Sequence, residues 1–299
     1  MRVKKSQFVT GMLLLAAGVT AGTAAAKEKM PPADAKRFHE MSKPVRPYRI
    51  IGNIYYVGAS DLASFLIVTP AGHILIDPGM EEMAPQVEQN IEALGFHAAD
   101  IKYLLNTQAH IDHAAAFAAL KRVSGATLLV SKEDAPVIES GGATDFLWAD
   151  RFRWEPAKVD GLVNDGEEVK LGGTVLTAHL TPGHTKGCTT WTMTVKEGGK
   201  EYRVVFLGST TRVGAKLVGN SAYPQIAEDY ESTFRKLRAL PCDVFLASHA
   251  SFYDGLAKAA KLRKSRKPNP FIDPAGYKAF LDAQERGFRE ELTRAQGEH

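Results

Sequence analysis

The run Thr107-Gln108-Ala109-His110-Ile111-Asp112-His113 constrains this chain more than any other stretch. It follows a short apolar segment, Ile101 to Leu105, and precedes an alanine-rich helical segment from Ala114 to Leu120. That order describes a strand that ends, a tight loop, and a helix that starts at once. Two histidines and a carboxylate within four positions make a dense ligand set, and zinc favours such nitrogen and oxygen donors. The loop lets Gln108, His110, Asp112 and His113 aim inward together. Two later histidines sit in similar punctuation, His184 in Thr181-Pro182-Gly183-His184-Thr185 and His249 in Leu246-Ala247-Ser248-His249-Ala250. Three strand ends of this kind can converge on one metal centre, and the residues read as those of a zinc hydrolase. His39, His73, His97, His179 and His299 lack this setting and read as structural.

The N-terminus has Arg2, Lys4 and Lys5, then an apolar core from Phe8 through Ala21, then Ala24-Ala25-Ala26 before Lys27. This is the pattern of a secretory signal peptide, residues 1–26, with periplasmic export expected. A membrane anchor is the alternative, but the apolar run falls short of the roughly 20 residues a spanning helix needs. No cysteine near the cleavage point marks a lipoprotein, and no Arg-Arg pair marks a twin-arginine route. The leader also carries three positive charges and no negative ones, which accounts for the whole formal charge of +3. The remainder is balanced, so neither a nucleic-acid partner nor stable membrane association after cleavage is expected. Residues 27–299 are long enough to bury one large core, and a single domain, acting as a monomer on a small molecule, is expected. Cys188 and Cys242 can pair in an oxidising compartment or stay buried and free.

Residues 27–47, with Pro31, Pro32, Pro44 and Pro47, read as an extended lead-in. Arg49 to Gly58, Ser64 to Thr69 and His73 to Asp77 read as strands. Glu82 to Leu94 has Met83, Val87, Ile91 and Leu94 at helical spacing. Two strands, Ile101–Leu105 and Thr127–Val130, then flank the Ala114–Val123 helix in a βαβ pattern. Residues 139–161 break the rhythm and carry Phe146, Trp148, Phe152 and Trp154, either as a substrate-contacting flap or as core packing. Glu167–Leu171, Thr174–Leu180, Cys188–Val195 and Tyr202–Leu207 read as antiparallel strands. An amphipathic helix marked by Tyr230, Phe234, Leu237 and Leu240 leads to a Val244–Ala247 strand. The basic run Lys258 to Lys267 reads as a solvated helix end, and Pro274 opens a closing helix.

Gln108-x-His110-x-Asp112-His113, then Pro182-Gly183-His184-Thr185, then Ser248-His249, in this order and spacing, resembles the metallo-β-lactamase superfamily over about residues 45–295. The likeness is closer to subclass B3. Ser209 stands where other subclasses have a cysteine, Thr211 follows, and Tyr223-Pro224, Glu228-Asp229-Tyr230 and Leu240-Pro241-Cys242-Asp243 are similar to B3 chains. Gln108 replaces the first histidine of the common motif, as in the minority Gln-bearing (GOB-type) branch. The partner cysteine that B3 chains often have for the position of Cys242 is missing from Phe271–Phe280.

The resemblance implies an α/β fold, a four-layer αββα sandwich of two mixed sheets flanked by helices. It also implies one or two Zn2+ per chain. Gln108, His110 and His184 would hold the first, and Asp112, His113 and His249 the second. The activity implied is hydrolysis of the β-lactam ring of antibiotics by a metal-bound hydroxide that Asp112 orients, conferring resistance. Ser209 and Thr211 would hydrogen-bond the β-lactam carboxylate, or else bond backbone as strand-end hydroxyls often do. Asp77 would orient a ligand or cap a turn. Because an amide is a poorer zinc ligand than imidazole, the first position is expected to be the weaker and empty at low zinc.

Two rivals remain at this stage. A sister hydrolase of the same fold, acting on lactones, thioesters or phosphodiesters, usually has a bridging Asp where this chain has Gly208-Ser209. A non-catalytic zinc-binding protein of the fold is disfavoured by Asp112 and kept open by Gln108. No G-x-S-x-G elbow, S-x-x-K motif or G-x-x-x-x-G-K phosphate loop offers another chemistry.

Overall fold

The computed structural model describes residues 30–149 and 151–297, so the expected leader lies outside the described residues. The first half runs α1 (Pro32–Met41), β1 (Tyr48–Ile51), β2 (Ile54–Tyr56), β3 (Phe65–Thr69), β4 (Gly72–Ile76), α2 (Ala84–Ala93), β5 (Ile101–Leu105), α3 (Ile111–Ala114), α4 (Phe117–Ser124), β6 (Thr127–Ser131), α5 (Ala135–Glu139) and β7 (Gly161–Val163). The second runs β8 (Glu168–Leu171), β9 (Thr174–Leu180), β10 (Thr189–Glu197), β11 (Lys200–Leu207), α6 (Ile226–Ala239), β12 (Val244–Ala247), α7 (Gly255–Lys264) and α8 (Pro274–Gly297).

Strands β1 to β7 pair in chain order in one sheet, and the other sheet has the order β12-β11-β10-β9-β8. The first sheet is antiparallel through β4 and parallel from β4 to β7. In the second, only β11 and β12 run parallel, with Leu207 opposite Ala247.

The alternation of side chains along a strand explains why these strands read as unbroken apolar runs: both faces of the first sheet are covered. Phe65, Ile67, Ile74, Ile76 and Leu105 point to the interior between the sheets, where they join Trp191, Val195, Phe206 and Leu246. Their neighbours Leu66, Leu75, Leu104 and Leu128 point the other way, onto Val87, Ile91, Phe117 and Leu120 of α2 and α4. On the outside of the second sheet, Tyr230 and Phe234 of α6 pack with Phe288 of α8. The result is the four-layer αββα arrangement of two mixed sheets flanked by helices that the sequence led us to expect.

Several local expectations are corrected. The lead-in contains a helix, α1, because Pro31 and Pro32 occupy its N-cap and first turn, where a missing N–H costs nothing. Its Asp34 and Phe38 are buried. The strand expected over Arg49 to Gly58 is two strands, turned at Gly52, whose φ of 53° suits glycine. The helix expected over Ala114–Val123 is divided into α3 and α4, so the first turn after the ligand loop is a separate piece. Strand β7 was not anticipated. Lys258, in the basic run, is buried and its Nζ lies 2.8 Å from Asp273 Oδ2. Cys188 and Cys242 are both buried and free. Among the described residues, no helix is long and apolar enough to cross a membrane.

Candidate metal centre

The site lies where strand ends of both sheets meet. Strand β5 ends at Leu105, and the loop that follows from Asn106 must turn four side chains inward without leaving its amides bare. Asp77, just past β4, accepts hydrogen bonds from the Thr107 N–H at 2.8 Å and from its hydroxyl. Asn106 Nδ2 donates to the Gln108 carbonyl at 2.8 Å, while the Asn106 carbonyl accepts from Trp191 Nε1 at 3.0 Å. His110 then caps α3, accepting at its carbonyl from the N–H of His113 and of Ala114. This rapid return to helix places Asp112 and His113 on the first turn.

The other donors come from three further strand ends. His184 sits between β9 and β10, where Gly183 has a φ of 131°. A Cβ on Gly183 would lie 2.8 Å from ring atoms of Tyr230. We expect Gly183→Ala to cost about 2 kcal/mol or more of stability, through positive φ and overpacking together, as read from its thermal midpoint. Tyr230 and Thr233 of α6 hold this region, donating to the carbonyls of Thr211 and Pro182 at 2.7 Å each. Ser209 and Thr211 follow β11, and Ser248 and His249 follow β12.

Five of the six residues expected as ligands are buried here and His249 is half-buried, and their donor atoms form two groups. His110 Nδ1 and His184 Nε2 are 3.0 Å apart, with Gln108 buried beside Ser248. In the second group, His113 Nε2 and His249 Nε2 are 3.2 Å apart, and Asp112 Oδ2 is 3.5 Å from the first and 3.7 Å from the second. Ligand atoms 2.0–2.1 Å from a tetrahedral zinc stand roughly 3.3 Å from one another, so these spacings fit such an ion. Gln108 Oε1 provides an independent test. It is a buried acceptor with no hydrogen-bond partner, an arrangement that is costly unless a cation completes it. The donor set therefore fits a divalent metal.

Behind two of the histidines stands a hydrogen-bond acceptor for the other ring nitrogen, the arrangement that fixes tautomer and ring orientation in metal sites, and a carboxylate lies near the other two. His184 Nδ1 lies 2.7 Å from the Thr211 carbonyl, and His249 Nδ1 lies 3.1 Å from Asp61 Oδ2. Asp145 Oδ2 is 3.4 Å from His110 Nε2, and Asp77 Oδ2 is 3.8 Å from His113 Nδ1. Asp77 thus caps the Thr107 turn and lies beside His113.

Burial keeps the His110 imidazole neutral, pushed down to about 3, and it holds His184 well below its ordinary range. Both are ready to give lone pairs. Burial opposes the charge on Asp112, yet His113 beside it holds the carboxyl far below the usual range. Burial pushes Asp61 up, but the hydrogen bond and charge of His249 together with the hydrogen bonds from Ser251 bring it down to about 2.

The Ser209 and Thr211 hydroxyls are 3.1 Å apart, and that of Thr211 is also 3.1 Å from His184 Nδ1. The aromatic segment divides. Phe152 and Trp154 are core, while Phe146 packs on Tyr223 and Trp148 tilts over His110 with ring centroids 4.4 Å apart. Arg151 of this segment donates to Asp34 of α1, and Phe38 packs edge-on against Phe152. The expected lead-in therefore braces the roof of the site.

Sequence reasoning missed Asp61, Asp134, Asp145 and the part played by Ser248. Asp134, at the start of α5, accepts from the Ala109 N–H, the Thr185 hydroxyl and the Gly187 N–H, all at 2.9 Å. It ties the His110 loop to the His184 loop. No local signal marks any of these carboxylates, since a lone Asp near a turn is ordinary.

Comparison with known proteins agrees with this geometry. The profile of the metallo-beta-lactamase superfamily matches residues 58–249. The FEZ-1 metallo-β-lactamase from Legionella gormanii is 47% identical, with a TM-score of 0.84, covering 86% of this chain and 98% of that one. BJP-1, a subclass B3 metallo-β-lactamase of Bradyrhizobium japonicum, is 38% identical with a TM-score of 0.81, covering 86% of this chain and 97% of its own. A probable metallo-hydrolase of Burkholderia pseudomallei is 28% identical over 157 residues, and the match spans only 51% of its length. Profile, fold and converging donors lead to one conclusion: the chain belongs to the metallo-β-lactamase superfamily.

Proposed function

We propose that this chain is a zinc-dependent β-lactamase of the B3 kind, in its Gln-bearing branch, exported to the periplasm and acting as a monomer on β-lactam antibiotics. The observation that carries the substrate assignment is the likeness to a metallo-β-lactamase over 98% of that chain at 47% identity. The absence of a carboxylate at the end of β11, where Gly208-Ser209 stands, supports two separate three-donor positions. Gln108, His110 and His184 would hold the first zinc, and Asp112, His113 and His249 the second. Zinc held there supplies a water that ionises near neutral pH and a Lewis acid for the lactam carbonyl.

The chain's own residues do the rest. Asp112 keeps its carboxylate charged beside His113 and accepts the hydrogen bond that aims the attacking water. Asp61 and the Thr211 carbonyl keep the His249 and His184 imidazoles turned toward the metal positions, and Asp77 and Asp145 set negative charge beside His113 and His110. Ser209 and Thr211 donate to the substrate carboxylate, and Thr211 also backs His184. Trp148 over His110 forms an apolar wall that excludes water.

The test is nitrocefin turnover beside penicillin, cephalosporin, carbapenem, lactone and thioester substrates. We expect β-lactam turnover to disappear with a chelator and return with added zinc. Turnover of lactones or thioesters in place of β-lactams would assign the chain to a sister hydrolase.

A further inference from the structure

Gln108 poses a problem that an imidazole ligand does not. A primary amide has an acceptor end and a donor end of nearly equal size, and only the oxygen suits a cation. Something must decide which end faces the metal position. We propose that Ser248 is the positioning residue that makes this choice, locking the Gln108 amide with its oxygen toward the first zinc. The proposal rests on the reading that Gln108 holds that metal.

The argument is one of proton direction. Ser248 has a single hydroxyl proton, and it goes to the Gly208 carbonyl, 2.5 Å away. The serine oxygen can then only accept, and the group it faces, 3.1 Å away, is Gln108 Nε2. Turning the amide over would set two acceptor oxygens against each other with no proton between them. It would also present amide hydrogens to the cation. The observed arrangement avoids both, because Nε2 donates to Ser248 and the buried Oε1 is left with no partner in the protein. An acceptor kept free in a fully buried side chain is what a ligand atom requires.

The surrounding fold explains why the serine is in reach. The parallel pairing of β11 and β12 brings Gly208 and Ser248 abreast, with the Ser248 N–H donating to the Leu207 carbonyl at 3.0 Å. Gly208 is bare because a Cβ would lie 3.1 Å from the Thr107 carbonyl and 2.7 Å from Cys188 Sγ. Its missing side chain lets the end of β11 approach the loop that carries Gln108. Donor, relay and acceptor thus come from three strand ends: Gln108 after β5, Ser248 after β12 and Gly208 after β11.

The experiment is a stepwise zinc titration of the mature chain against a chromophoric chelator, which resolves the two equivalents without reference to turnover. The proteins are the parent, Ser248→Ala, Gln108→Ala, Gln108→Glu and the Gln108→Glu/Ser248→Ala double variant. A carboxylate has two like oxygens and cannot be turned the wrong way, and the Ser248 proton can turn from the Gly208 carbonyl to the oxygen that faces it, so it has no need of the lock. We expect Ser248→Ala to weaken the first-position zinc about ten- to hundredfold, with the other equivalent changed far less. Added to Gln108→Glu, the same change is expected to weaken it by less than about threefold.

If Gln108→Ala weakens that zinc and Ser248→Ala does not, the lock is refuted while the ligand reading stands. If Gln108→Ala leaves the zinc untouched, the ligand reading fails and the lock falls with it. Equal losses from Ser248→Ala in the Gln108 and Gln108→Glu chains would mean that the serine only supports the fold, and that too overturns the proposal.

Discussion

Asp112→Ala is expected to lower β-lactam kcat/KM by about a thousandfold or more and to remove the second zinc equivalent at ordinary zinc concentrations. The carboxylate is the one anionic donor in its group, 3.5 and 3.7 Å from the ring nitrogens of His113 and His249. A dication held by two neutral imidazoles and no anion loses its main electrostatic anchor in a buried site. The attacking water also loses its acceptor, so binding and orientation fail together. His113 changes as well. Burial pulls its imidazole down, but Asp112, Asp77 and Asp61 together raise it above the ordinary range. Without Asp112, the first of these pulls is lost. The check is nitrocefin hydrolysis at saturating zinc beside the metal content of the purified protein. Turnover within tenfold of the parent, with both equivalents retained, would sink the assignment of Asp112.

The second large effect is on stability. Asp134→Ala is expected to destabilise the fold by about 3 kcal/mol or more, because it strands three buried donors at about 1–3 kcal/mol each. For a chain of this size that is a fall of roughly 6–10 °C in the thermal midpoint. The orphans are the N–H groups of Ala109 and Gly187 and the Thr185 hydroxyl, one in the first ligand loop and two in the next. The pH dependence has a definite sign. Burial pushes the Asp134 carboxyl up to about 7, against the pull of its three hydrogen bonds and with nearby Asp145 adding to the push. In the unfolded chain it titrates near 3.9. The fold therefore favours the protonated form. Its contribution is greatest below about pH 4, declines as pH rises toward about 7, and is level above that. The deficit of Asp134→Ala should accordingly be larger at pH 5 than at pH 8, as measured by denaturant unfolding of the metal-free protein. A deficit that grows with pH would contradict this account of the carboxyl.

The candidate donors were legible because their residues are local signals. Gln108, His110, Asp112 and His113 stand together after an apolar run, and His184 and His249 each follow one. The residues that hold them in place were not legible. Asp61, Asp134 and Asp145 reach partners 25 to 188 positions away in the chain, a separation no local pattern can encode. The error over α1 has a different origin. Pro31 and Pro32 read as breakers, although proline at a helix start is favourable, and only burial of Phe38 against Phe152 shows which role was taken.

By itself, then, the order of residues determined the alternation of strands and helices, the apolar runs of the first sheet and the six candidate donors. Hydrophobic period and ligand type act over a few positions, and they survive without knowledge of the fold. Tertiary structure alone decided which acceptor backs each imidazole, that Cys188 and Cys242 stay apart, and that a serine after β12 meets an amide after β5. Those facts depend on the direction of single hydrogen bonds between distant strand ends, and such directions exist only once the sheets have been stacked.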